Sequence, residues 1–113
     1  MVTRRERAEH YVWGEGCDGW RLLDRADLSV IEERMPPGTS EVRHVHQSAR
    51  QMFYVLSGQL SIERNGENLV LESGDALEMP PTVPHRVHNS STLDAVFLVI
   101  SAPTTRGDRT NLG

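Results

Sequence analysis

The chain has 113 residues, a formal charge of −4, and twelve basic residues set against sixteen acids, a length that holds one domain with no room for a separate partner-binding module. All twelve basic residues are arginine, scattered rather than gathered in a stripe, so a nucleic-acid partner is not expected, and Schiff-base and phosphate-loop lysine chemistry are excluded. Cys17 is the only cysteine, which rules out an internal disulfide and makes a reduced compartment the simpler expectation.

In chain order, residues 1–18 are polar with Tyr11 and Trp13 embedded, and glycines at 14, 16 and 19 argue against a long helix. They carry no apolar core of signal-peptide length, and no later run reaches membrane-helix length, so a cytoplasmic protein without a membrane segment is expected. This segment reads either as an arm or as a cap on one end of its own barrel. From Trp20 onward short strands separated by turn residues recur, the mark of an all-β barrel or sandwich. Strands are predicted near 20–23, 28–35, 42–46, 51–56, 59–64, 68–72, 76–79, 85–89 and 95–101. Asn65-Gly66 is a two-residue hairpin signal, and Ser57-Gly58, Ser73-Gly74 and Pro36-Pro37-Gly38 supply other breaks. The tail, 103–113, lacks apolar anchors and is expected on the surface or disordered; its Arg106-Gly107-Asp108 triplet is read as chance. The domain plan is therefore an N-terminal arm (1–18), a barrel (19–102) and a C-terminal tail (103–113).

The chemistry concentrates between Gly38 and Gly58. Alternate side chains of a strand share a face and rise about 3.3 Å per residue, so His44 and His46 point the same way with Cα atoms roughly 6.6 Å apart, within reach of one metal ion. A hairpin return brings Gln51 toward the same face, and His85 waits in the second half of the chain; these four are the candidate metal ligands. By the same parity Val42 faces inward with the histidines while Arg43 and Val45 face away. Gln51, Phe53 and Val55 share one face, with Met52, Tyr54 and Leu56 opposite. His85, Val87 and Asn89 share another, which removes His88 from the ligand set; His10 is left as a solvated residue.

These residues resemble the two motifs of the cupin family. The first runs Gly38, His44-Val45-His46, Gln51, Gly58, with glutamine where the family usually has glutamate. The second runs Gly74, Pro80, Val83-Pro84-His85, Asn89, with Thr82 where glycine is common. The resemblance implies a double-stranded β-helix (jelly-roll) barrel and a metal site at His44, His46, Gln51 and His85. It also turns the face carrying Leu77 and Met79 toward the cavity, giving an apolar pocket of Phe53, Val55, Leu77, Met79 and Val87 for a small-molecule ligand. Small cupins pair through crossing terminal strands, so a homodimer is expected, anchored by Tyr11 and Trp13.

Three imidazoles and an amide oxygen leave a divalent ion (Fe, Mn, Ni, Zn or Cu) its full charge and an incompletely filled shell, suited to a diol or an oxo acid. The leading expectation is a dioxygenase-like enzyme on such a metabolite. A metal-assisted isomerase or lyase and a non-catalytic metabolite-binding protein are the alternatives. No catalytic residue is assigned, because Gln51 cannot accept a proton and Glu78 faces outward by parity.

Overall fold

The computed structural model describes residues 2–113. It contains β1 (Glu9–Trp13), β2 (Cys17–Asp24), β3 (Ser29–Met35), β4 (His44–Val45), β5 (Arg50–Ser57), β6 (Leu60–Arg64), β7 (Glu67–Leu71), β8 (Ala76–Met79), β9 (His85–His88), β10 (Ala95–Ala102) and β11 (Thr110–Asn111). One 3-10 turn, Arg5–Arg7, precedes them. The strands form two antiparallel sheets, ordered β1-β2-β3-β10-β5-β8 and β11-β4-β9-β6-β7, the all-β architecture the turn spacing predicts. Among the described residues no helix is long and apolar enough to cross a membrane.

Alternation builds the core. In β10, Ala95, Phe97, Val99 and Ser101 are buried, and in β5 so are Gln51, Phe53 and Val55. The register sets Phe53 beside Val99 and Leu77, and Gln51 beside Ser101 and Met79. From the other sheet Leu60, Ile62 and Val87 close the apolar interior. Turn chemistry fixes the links: Asn65 and Gly66 both take left-handed backbone (φ 50° and 80°), as a two-residue hairpin between Arg64 and Glu67 requires. Gly58 takes left-handed backbone (φ 77°) and has no room for a side chain, since a Cβ there would stand 2.1 Å from the Asp94 carbonyl oxygen.

One expectation changes and two open ones are narrowed. Strict parity fails around the histidines: Val42 is 49% exposed and Val45 only 8%, because just His44 and Val45 adopt ladder geometry and two residues are too few for a period-two pattern to govern their neighbours. The segment 1–18 supplies β1, paired antiparallel to β2 across a glycine turn within the same sheet, and the position taken as the barrel's start lies inside β2. The tail is ordered. Its β11 pairs with β4, Leu112 N–H donates to the Arg43 carbonyl at 2.8 Å, and Arg106 meets Asp24 at 2.7 Å. Polar anchors do what apolar ones were missing for.

Candidate metal centre

His44 and His85 are direct cross-strand partners on β4 and β9, and His46 follows at the end of β4. Their rings lie 4.4 to 5.7 Å apart, centroid to centroid. Each Nδ1 faces a backbone carbonyl: Val42 at 2.8 Å for His44, Val83 at 2.9 Å for His85, and Asp108 for His46. A carbonyl has no proton to give, so each Nδ1 carries the hydrogen and each Nε2 keeps its lone pair. One ligand atom from each ring lies within 4.8 Å of the others, a cluster that can hold a metal ion.

Electrostatics keep the rings neutral. Burial is the main cause in all three, driving His44 down to about 3, against the Val42 carbonyl that favours its charged form. His46 and His85 are lowered in the same way. Neutral imidazole is the ligating form, so no proton need be displaced at neutral pH.

Among the described residues, two buried acceptors have no hydrogen-bond partner: Nε2 of His85 and Oε1 of Gln51. The Gln51 amide is held by its own Nε2, which donates to Ser101 Oγ at 3.1 Å. Leaving a buried polar atom unpaired costs roughly 1–3 kcal/mol, a cost that an ion ligated by these atoms would remove. The residues present therefore fit a metal, and three imidazoles with an amide oxygen suit zinc, copper, iron or nickel.

His44, His46 and Gln51 open on a cavity of about 220 Å³. Of the five residues expected to line it, Phe53 does. Val55, Met79 and Val87 belong to the closed core, and Leu77 packs against it; inward parity placed them in the interior, but they fill its sealed part. The open part is walled by Tyr11 and Trp13 of β1, Ile31 and Glu33 of β3, and Glu41, Thr105 and Arg109 from segments outside the predicted strands. His88 sits on the outer side of β9, bonded to Asn68 and Ser90, as parity placed it. His10 meets Asp18 at 2.8 Å.

The carboxyls of this wall are displaced toward neutral pH. Burial, reinforced by the charge of Glu41, raises Glu33 to about 8, and Tyr11 Oη donates to its Oε2 at 3.4 Å. Burial raises Glu41 to about 7; its Oε1 accepts from Val87 N–H at 3.0 Å, and its Oε2 lies 3.8 Å from Arg109. Burial also raises the Tyr11 phenol. Glu33 carried a readable signal, since it shares inward parity with Ile31 and Met35 in a predicted strand. Arg109 carried none.

These shifts fix the pH dependence of the metal-free protein. Glu33 and Glu41 bind protons more tightly folded than unfolded, so the stability they confer is full below about pH 4.5 and is lost as pH rises toward 7 and 8. The histidines bind protons less tightly folded than unfolded, so their contribution is present above about pH 6.5 and lost as pH falls. Glu33→Gln removes one ionisation from the alkaline side, and its melting temperature, measured with chelator, is expected to exceed wild type at pH 9 by several degrees more than at pH 4. An equal offset at both pH values contradicts the shift.

Residues 31–101, more than half of the chain, match the family model described as the cupin domain. An oxalate-binding protein of Thermotoga maritima is 27% identical over 67 residues, 59% of this chain and 55% of that protein. Quercetin 2,3-dioxygenase of Bacillus subtilis is 32% identical over 56 residues, 50% of this chain and 17% of that enzyme. The chain thus spans little more than half of the first relative and a small part of the second. Among solved structures, a cupin-superfamily sugar phosphate isomerase from Silicibacter pomeroyi superposes with a TM-score of 0.80 at 21% identity, covering 92% of this chain and 76% of that one, a likeness of fold. With the match running from β3 to β10 and the histidine cluster inside a two-sheet double-stranded β-helix, the chain belongs to the cupin family.

Proposed function

We propose that this cupin is a metal-dependent enzyme that moves a proton on a small oxygen-rich anion, an isomerase or lyase in reaction class. The observation that carries the reading is Glu33, a carboxyl raised to about 8 on the wall of the cavity that His44 and His46 line. It supplies the base that neither Gln51 nor Glu78 provides; Glu78 is turned away, paired with Arg50 on the surface. A divalent ion held by His44, His46, His85 and Gln51 Oε1 would supply a Lewis acid that binds substrate oxygens and acidifies the neighbouring C–H bond. Glu33 takes the proton, with a pKa raised to about 8 that suits both acceptance and return near neutral pH. The Tyr11 hydroxyl, hydrogen-bonded to it, orients the carboxyl. Arg109 at the cavity wall pairs with the anionic end of the substrate, while Ile31, Phe53 and Val99 keep water from the reacting carbon.

The test is solvent exchange. Metal-loaded protein in deuterium oxide is expected to wash out the C–H hydrogens beside the carbonyl of small hydroxyketones or 2-oxo acids, followed by proton NMR. Glu33→Gln should slow this by about a hundredfold or more with metal content unchanged. A dioxygenase-like activity on a diol or oxo acid is the second reading, favoured by the 32% identity to quercetin 2,3-dioxygenase. Oxygen uptake without exchange supports it and contradicts proton transfer. Ligand binding with neither exchange nor uptake supports a metabolite-binding protein, in line with the oxalate-binding relative.

Gln51 is tested separately. In the proposed site Gln51→Glu adds a negative charge beside the ion and tightens zinc binding, and Gln51→Leu, with no donor atom, weakens it. Equal zinc affinities across the three proteins remove Gln51 from the ligand set.

The protein is further proposed to pair as a homodimer. The outward face of the larger sheet carries Met52, Tyr54, Leu56, Leu98 and Ile100, with Met52 and Leu56 exposed, and its edges at β1 and β8 are free of strand partners in the described chain. Light scattering at micromolar concentration is expected to give twice the chain mass; the chain mass alone contradicts pairing.

A further inference from the structure

The three histidines are not held alike. His44 and His85 take their Nδ1 acceptors from carbonyls two residues back on their own segments, Val42 and Val83. His46 takes its acceptor from Asp108, 62 residues away in the C-terminal segment. The same residue grips the turn after His46. The Asp108 carboxylate accepts from the backbone N–H groups of Gln47 at 2.9 Å, Ser48 at 3.1 Å and Ala49 at 2.9 Å. One residue therefore clasps both the imidazole and the turn that carries the chain from β4 into β5.

Among the described residues no other side chain holds that turn as closely. The ladder at β4 has only two residues, and β11 pairs with it through Thr110 and Asn111, directly after this clasp. A carboxylate accepting several N–H bonds is a strong local anchor, because ionised acceptors form hydrogen bonds roughly twice as strong as neutral ones. A partner of this kind fixes the tautomer and tilt of a ligating histidine and contributes to metal affinity through it.

We propose that Asp108 is a positioning residue for the metal centre, aiming His46 Nε2 through its carbonyl and locking the adjoining turn through its carboxylate. On this account the C-terminal segment is part of the site, and Arg109 reaches the cavity wall because Asp108 pins the residue before it. The inference rests on the metal-binding reading of the histidines and does not depend on the reaction proposed above.

The experiment measures cobalt(II) affinity by chelator competition, together with the visible cobalt spectrum, for full-length wild type, Asp108→Ala, Asp108→Asn and Asp24→Ala. Asp24→Ala is the control: it releases Arg106, another side-chain anchor of the same segment, without touching the turn after His46. Expected are wild-type affinity and spectrum for Asp24→Ala, a loss of about 10- to 100-fold with an altered spectrum for Asp108→Ala, and a smaller loss for Asp108→Asn, which keeps one acceptor oxygen. If Asp108→Ala fails to fold, Asp108→Asn carries the comparison. Wild-type affinity in the folded Asp108 variants overturns the role of Asp108, as does an equal loss in Asp24→Ala. Wild type that binds no cobalt overturns the metal reading itself.

Discussion

Everything at the centre depends on three N–H to carbonyl hydrogen bonds. By fixing the proton of each imidazole on Nδ1 they leave a lone pair on each Nε2 in a cluster whose ligand atoms lie within 4.8 Å of one another, and burial disfavours the charged form of each ring. Such an arrangement is costly without an ion. The unpaired Nε2 of His85 and Oε1 of Gln51 mark where that cost is concentrated. The barrel exists in the form needed to meet it: the pairing of β4 with β9 sets His44 opposite His85, and the pairing of β5 with β10 sets Gln51 against the Ser101 hydroxyl that orients its amide.

Charge balance links the metal to the acid–base groups. An ion bound by neutral imidazoles and an amide keeps its full positive charge, with no carboxylate at position 51 to reduce it. In this site the carboxylates stand further back, as Glu33 and Glu41 on the cavity wall, both raised toward neutral pH by burial. A nearby cation favours their ionised forms, so in the proposed reaction a bound metal would favour the carboxylate form of Glu33 that accepts a proton. An anionic substrate would meet Arg109 and an incompletely neutralised ion in one small cavity.

Much of this was legible in the sequence and some of it could not be. Nine strands followed from turn residues and short apolar runs, and Asn65-Gly66 gave its hairpin, because those signals are local. His44, His46 and His85 were readable from spacing and from resemblance, and the structure brings them together. The depth of the pocket is not legible for a physical reason: parity says which side chains point inward, not how deep the packed core extends before space opens. Val55, Met79 and Val87 fill that depth. Glu33 was available as a charged residue at an inward position of β3. Asp108 and Arg109 were not, since their contacts bridge about 60 residues through backbone atoms and a polar tail has no periodicity to betray them.

The central claim is that one metal ion sits where the three Nε2 atoms converge, and anomalous diffraction from crystals grown with zinc, recorded on both sides of the zinc absorption edge, tests it most directly. The account predicts a single strong zinc peak bonded to Nε2 of His44, His46 and His85, with Gln51 Oε1 as a fourth protein ligand. A zinc peak bonded elsewhere, or none at the histidines in crystals that hold zinc at other positions, contradicts it.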